Sequence, residues 1–248
     1  MKLIINPEYE HLRDYLTHID EHFEHEGREI HKGRNSIRVC HTAGLELNVK
    51  RYAIPAWPNR FIYSFIRSPK GMRAYIYPQI LLKKGFETPV PVAYIEERRF
   101  GLIAHSYFVS LQCPYTRRFY EFGNTPAGEC TDVVTAFARF TARLHTAGIM
   151  HLDYSPGNIL FDHVNGNWHF ALVDTNRMYF GPVSVRRGCA NMARLWGQPD
   201  FFYLLAEEYA AARGADAALC RRWIMKAREH FWRRFSRRHR IKYDLKYQ

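Results

Sequence analysis

The stretch His151-Leu152-Asp153-Tyr154-Ser155-Pro156-Gly157-Asn158-Ile159-Leu160, with Val173-Asp174 a short hairpin later, constrains this chain more than any other. An aspartate, an asparagine five residues on and a second aspartate beyond a strand pair provide one proton acceptor and two oxygen ligands suited to Mg²⁺. Phosphoryl transfer needs such a set, because positioning and charge neutralisation do most of its catalysis.

In protein kinases the corresponding loop reads H-R-D-x-x-x-x-N and is followed by a metal-binding Asp-Phe-Gly. Here Leu152 stands in place of the Arg, Asp153 to Asn158 keeps the step, and Thr175-Asn176 replaces Phe-Gly. Asp153 is thus the expected base, Asn158 and Asp174 the expected Mg²⁺ ligands, and His151 a residue that braces the loop. The rest of the chain must then supply a nucleotide lobe and an acceptor site.

The upstream residues have the order such a lobe requires. Residues 7–25 predict an amphipathic packing helix, with Leu12, Leu16, Ile19 and Phe23 at helical spacing. Strands at Arg28–Ile30 and Ser36–Cys40 flank Lys32-Gly33-Arg34-Asn35. Gly33, Arg34 and Asn35 are expected to cover nucleotide phosphates, although one glycine is a weak phosphate-loop signal and an ordinary hairpin turn reads equally well. Leu45–Arg51 alternates as a strand, and Lys50 near its end stands where a kinase holds the α- and β-phosphates. Residues 52–69 form an insertion broken by Pro55 and Pro58, with an apolar patch flanked by Arg60, Arg67, Lys70 and Arg73. That composition suits either an anionic lipid surface or a short packed helix. A helix is expected over Gly71–Lys84, with Pro78 inside it. In a kinase this helix carries a Glu that pairs with the lysine, but here it contains no acid. Val92–Ile95 and Phe100–Val109 read as a hairpin turned at Glu96–Arg99. Ser110–Cys113, with Gln112, is the expected hinge for an adenine.

Downstream, Thr131–Ala147 predicts a helix capped by Thr131 and stopped by Gly148. Ile159–Phe161 and Trp168–Val173 predict a hairpin around Asn165-Gly166. Helices are expected at Asn191–Trp196, Asp200–Arg213 and Ala215–Arg234. No A-P-E motif and no long phosphorylatable loop follow Asp174. The net charge is +12, and its excess sits mainly in residues 221–248, which carry eleven Lys/Arg against Glu229 and Asp244. Such a block suggests an anionic surface or substrate. Five widely spaced cysteines without C-x-x-C argue against a disulfide framework and a zinc site. No run of eighteen apolar residues is present, which disfavours a membrane span.

Taken together, Glu46-Leu47-Asn48-Val49-Lys50-Arg51-Tyr52, Thr88-Pro89-Val90-Pro91-Val92-Ala93-Tyr94, His151–Leu160 and Val173-Asp174-Thr175-Asn176-Arg177 resemble the lipopolysaccharide-core kinases of Gram-negative bacteria, the Kdo-kinase and heptose-kinase family. The resemblance covers about residues 28–200. It implies an α+β, bilobal protein-kinase-like fold with a small antiparallel-sheet lobe (1–109) and a mainly helical lobe (110–248). It also implies ATP and Mg²⁺, with Lys50 on the nucleotide phosphates. The acceptor would be a sugar hydroxyl of a lipid-linked core oligosaccharide. The expected place is the cytoplasmic side of the inner membrane, with the basic C-terminus against its anionic surface. One departure stands out: Ile76 lies where the family pattern places the helix Glu.

Other readings of the same residues stay open. A small-molecule phosphotransferase shares the loop but has no need of a cationic tail, and a protein kinase lacks its D-F-G and A-P-E here. A pseudokinase scaffold, or a nucleic-acid or membrane-binding module using the interleaved cations and aromatics of Arg221–Lys246, belongs to another class. Nucleic acid is the less favoured partner.

Overall fold

A computed structural model describes residues 1–246, and the chain divides into two compact units. One comprises Met1–Pro114 with Asp174–Asn176. The other comprises Tyr115–Val173 and the chain from Arg177 onward.

The first unit is built on a six-stranded antiparallel sheet. Its strands are β1 (Lys2–Ile5), β2 (Arg28–Lys32), β3 (Ser36–Thr42), β4 (Leu45–Tyr52), β5 (Pro91–Arg99) and β6 (Leu102–Leu111), in the order β1-β5-β6-β4-β3-β2. The β3–β4 hairpin turns at Ala43-Gly44, where both residues have positive φ, as a two-residue turn matched to strand twist requires. Alternation along β4 buries Leu47 and Val49 on one face and sends Asn48 and Lys50 to the other. The Leu47–Val49 face packs on Leu12, Leu16, Ile19 and Phe23, each at most 2% exposed.

That stripe is the one the sequence predicts, but it is not one helix. It runs through a 3₁₀ segment (Pro7–Leu12), α1 (Arg13–Thr17) and α2 (Ile19–His25). The helix breaks at Tyr9 and at His18, whose backbone angles are not helical. The short edge strand β1, paired with β5, carried too little pattern to be read in advance.

The other sheet face carries Lys50, Phe108 and Tyr94 in one cross-strand row and Tyr52, Ser106 and Glu96 in the next. It is covered by α4 (Lys70–Lys83), which presents Gly71, Ala74, Tyr75, Pro78 and Leu81 inward. Before it, α3 (Trp57–Phe65) occupies the 52–69 insertion. The β5–β6 turn falls at Phe100-Gly101, both at positive φ, and not at Glu96–Arg99. The glycine permits the turn, so β5 runs longer than expected and β6 is shifted two residues along the chain.

The second unit packs α5 (Thr131–Thr146) against α7 (Pro199–Arg213), and α7 against α8 (Ala217–Ser236). Its strands are β7 (Arg117–Arg118), β8 (Ile149–His151), β9 (Ile159–Val164), β10 (Asn167–Leu172) and β11 (Met178–Phe180). They form a three-stranded sheet, β10-β9-β7, and a β11-β8 pair. Phe137 of α5 joins Phe119, Phe161 and Phe170 in an aromatic core. The β9–β10 turn is Asn165-Gly166, as predicted. Thr131 does not cap α5; it is the first helical residue, and its hydroxyl donates back to Ala127 O. The expected 191–196 helix is displaced to α6 (Val185–Asn191), started by Ser184 Oγ accepting from Arg187 N and followed by a 3₁₀ turn at Met192–Arg194. The run Val185-Arg186-Arg187-Gly188 has no apolar period, so only its cap marked it. No helix among the described residues is long and apolar enough to cross a membrane.

The start of α4 supplies a stability test. A Cβ on Gly71 would lie 2.6 Å from the Tyr94 ring and 3.3 Å from that of Tyr52. Gly71→Ala should therefore destabilise the protein by about 1–3 kcal/mol through overpacking. A thermal midpoint equal to or above wild type would show that the helix–sheet contact is looser than this.

Candidate active site

Two clusters contain the residues singled out in the sequence, one in each unit. In the first unit, Lys50 Nζ lies 2.6 Å from Asp174 Oδ1 and 5.3 Å from the centre of the Tyr52 ring. Asp174 also accepts from Asn176 Nδ2 at 2.6 Å, so Asn176 stands beside the carboxylate where a kinase has glycine. Asp174 has φ +53, a left-handed conformation that Asp tolerates better than most residues. Lys50 is held by the carboxylate expected to bind metal, and α4 supplies no acid. Ile76 is 41% exposed and lies away from the sheet-facing positions, which are apolar or glycine. The buried acid of that sheet face is Glu96, already engaged by Tyr94 Oη at 2.6 Å and Arg98 Nε at 2.7 Å.

The Lys32–Asn35 turn closes with Gly33 N–H donating to Asn35 O. Gly33 is not in the left-handed region, so the turn lacks the backbone signature of a tight glycine-dependent phosphate loop. Arg34 and Asn35 do line a cavity of about 190 Å³, together with Tyr52, Asn59, Lys70 and Ser106. The Tyr52 hydroxyl is buried without a hydrogen-bond partner among the described residues. At the expected hinge, Gln112 N–H donates to Glu46 O, and the Gln112 side-chain oxygen accepts from Asn48 Nδ2 at 2.9 Å. Both groups are thereby committed to the sheet.

In the second unit the loop after β8 is held from several directions. His151 is fully buried; its Nδ1 accepts from Asp153 N–H at 3.0 Å and its Nε2 donates to Val173 O at 3.1 Å. Both ring nitrogens are spent, so His151 braces the loop as expected and has no free nitrogen for proton transfer. Asn158 Nδ2 donates to Asp153 O at 2.9 Å, which turns its Oδ1 away as an oxygen donor. Tyr154 is buried against Phe137 and bonds Thr141 Oγ at 2.8 Å, tying the loop to α5.

Two arginines that the sequence reading did not assign flank Asp153. Arg194 Nη1 lies 2.6 Å from Oδ1, and Arg177 Nη1 lies 3.4 Å from Oδ2. The closer contact lacks hydrogen-bond alignment, so it is an ion pair by distance alone. Leu152, in the position of the missing Arg, is 48% exposed and does not replace that charge. Arg177 follows the Asp174–Asn176 motif directly and was open to being found as the substitute cation. Arg194 comes from the distant 3₁₀ turn and left no local signal.

Behind the loop runs a buried polar chain. Arg213 Nη1 donates to Tyr209 Oη at 2.8 Å, so the tyrosine proton goes to His145 Nδ1 at 2.9 Å. His145 Nε2 therefore carries the remaining proton and donates to Asn191 Oδ1 at 3.2 Å; Asn191 Nδ2 donates to His151 O at 2.9 Å. Gly188 makes room, since a Cβ there would collide with Tyr209 Oη and lie 2.7 Å from His145 Nδ1.

The oxygen donors fit Mg²⁺, a hard cation that takes one or two protein side chains and completes its shell with phosphate and water. Asp174 and Asn158 are such donors. No group of three or more His, Cys, Asp or Glu suited to an all-protein metal site occurs among the described residues.

Burial depresses the His145 pKa from 6.5 to about 4, because the imidazolium would lose its water; Asn191 opposes this and Arg213 reinforces it. The unfolded chain takes up a proton near pH 6.5 that the folded protein refuses until about pH 4. This part of the stability is complete above pH 6.5 and falls by roughly 3 kcal/mol as pH drops to 4. His145→Gln should flatten the dependence of the urea midpoint over that window. A slope unchanged from wild type would show that His145 does not set it.

No protein-family model matches this chain, and no curated protein matches it. Among solved structures, "WaaP in complex with acyl carrier protein" aligns with 94% of this chain and 100% of that chain, with a TM-score of 0.61 and 17% identity. At that identity the likeness speaks for the fold alone. The chain has a mixed α and β fold similar to that of WaaP.

Proposed function

We propose that this chain is an ATP-dependent phosphotransferase acting on a sugar hydroxyl, Kdo or heptose, of a lipopolysaccharide inner-core precursor at the cytoplasmic face of the inner membrane. The observation that carries the reading is the Asp153 loop, braced by His151 and Asn158, in a chain with the fold of WaaP. In this reading Mg²⁺-ATP supplies the phosphoryl group and neutralises its developing charge. Asp153 accepts the acceptor hydroxyl's proton, and the His151 and Asn158 contacts to its backbone fix where that carboxylate stands. Asn158 Oδ1 and Asp174 hold the metal. Lys50, released from Asp174, orients the nucleotide phosphates. Gln112 meets adenine through its carbonyl, because its N–H is already donated to Glu46. Arg34 and Asn35 form the phosphate-side wall.

Arg177 and Arg194 support an anionic acceptor. Two guanidiniums pair with the Asp153 carboxylate and occupy its oxygens while they stay there. An acceptor carrying carboxylate or phosphate groups would draw them off Asp153 as it binds, so that the base is released by its own substrate. Small neutral acceptors offer no such exchange.

A pseudokinase is the second reading, favoured by the acid-free α4 and by Lys50 resting on Asp174. Thermal shift with ATP, with and without Mg²⁺, separates the two, because a chain that binds neither nucleotide form is not an ATP-dependent enzyme.

Purified protein with Mg²⁺-ATP should phosphorylate Kdo–lipid A or a heptosylated core. Asp153→Asn should lower kcat by about 10²–10⁴-fold with little change in thermal midpoint. Wild-type turnover in that variant would remove Asp153 from the base role. Arg194→Gln should raise KM for the anionic acceptor more than it lowers kcat, and equal KM values would sever Arg194 from acceptor binding.

A further inference from the structure

We infer that α3 and the tip of the β5–β6 hairpin form a docking surface for an anionic phospholipid membrane. The surface lies wholly within the first unit and does not rest on the kinase reading.

On α3, Trp57, Phe61 and Phe65 recur every four residues and so share one face, with exposures of 69%, 50% and 61%. Ile66 just beyond the helix is 72% exposed. An adjoining face is fixed to the β5–β6 hairpin by polar bonds. Arg60 Nε donates to Ile103 O at 2.6 Å, Ile103 N–H donates to Ser64 Oγ at 2.9 Å, and Arg98 Nη2 reaches Ser64 O at 3.4 Å. A helix held through its polar side turns its aromatic side outward.

The same hairpin ends in Phe100, fully exposed and at φ +52. A bulky non-glycine residue in that conformation is strained and makes no packing contact that would offset the cost. An aromatic at such a tip has a use if the tip enters an apolar phase.

Charge selects the occupant. Between Glu46 and Glu87 the chain has no acid; Arg60 lies on α3, exposed Arg67 follows just beyond it, and Lys70 and Arg73 stand in the first turn of α4. Arg98 and Arg99 precede Phe100, with Glu97 the acid adjoining them. A short amphipathic helix with aromatics on one side and cations at its borders is the composition of interfacial anchors on anionic lipid. The C-terminal block, by contrast, buries Arg228 and Trp232, and Tyr243 packs on Trp196. Among its described residues no large apolar side chain is exposed, so it offers charge and nothing to insert.

Sedimentation of the full-length protein with phosphatidylglycerol/phosphatidylcholine vesicles, without nucleotide, tests the assignment. Wild type should bind these vesicles and bind pure phosphatidylcholine weakly. Phe61→Ser with Phe65→Ser, and separately Phe100→Ser, should weaken binding by about tenfold for each aromatic removed, at an unchanged thermal midpoint because these side chains are exposed. Charge reversal at Arg237, Arg238 and Arg240 should leave most of the binding in place. Wild-type binding by both aromatic variants, or loss confined to the charge-reversed tail, would overturn the proposal. So would a wild-type dimer that becomes monomeric on Phe61→Ser while vesicles remain unbound, which would make the face a contact between copies of this chain.

Discussion

A neutral imidazole at position 145 holds the geometry of the Asp153 loop in the second unit. Because Arg213 can only donate, the protons of Tyr209, His145 and Asn191 are ordered in one direction, and the chain ends on the His151 carbonyl. His151 in turn uses both ring nitrogens to fix Asp153 and Val173. In a buried setting each bond in such a series is costly to leave unmade, so the series favours one arrangement over near alternatives. The loop therefore takes its conformation from residues that do not touch Asp153.

The charges around the two carboxylates follow a common pattern. Lys50 rests on Asp174, and Arg177 and Arg194 rest on Asp153. Each carboxylate is held by cations that anionic ligands would also attract. Both carboxylates are partly exposed, so solvent screening weakens these pairs. The absence of an acid on α4 fits the same scheme, since its inward face is given to packing around Gly71, Tyr52 and Tyr94.

Most of the fold was readable where a local rule binds the chain. Alternation marked β4, and Asn165-Gly166 marked the β9–β10 hairpin. The stripe Leu12, Leu16, Ile19 and Phe23 marked the face that packs on the sheet, although the helix carrying it is broken twice. The misreadings lie where local patterns compete. The Glu96–Arg99 stretch is charged like a turn, yet Phe100-Gly101 takes the positive φ values. Thr131 has a capping side chain, yet the helix begins on it.

The sequence by itself determined the spacing of the candidate site. Asp153, Asn158 and Asp174 lie within one short span, where loop chemistry and a hairpin turn follow from neighbouring residues. It also determined the alternation that brings Lys50 to the face opposite Leu47 and Val49. Only the tertiary structure decided what those residues touch. Arg194 reaches Asp153 from forty-one positions away, and Arg213 acts on His151 through three intervening side chains. Such contacts depend on how helices pack, and helix packing leaves no spacing rule along the chain. The outward turn of Trp57, Phe61 and Phe65 was decided in the same way, because the polar bonds of Arg60 and Ser64 to the β5–β6 hairpin choose which side of α3 meets solvent.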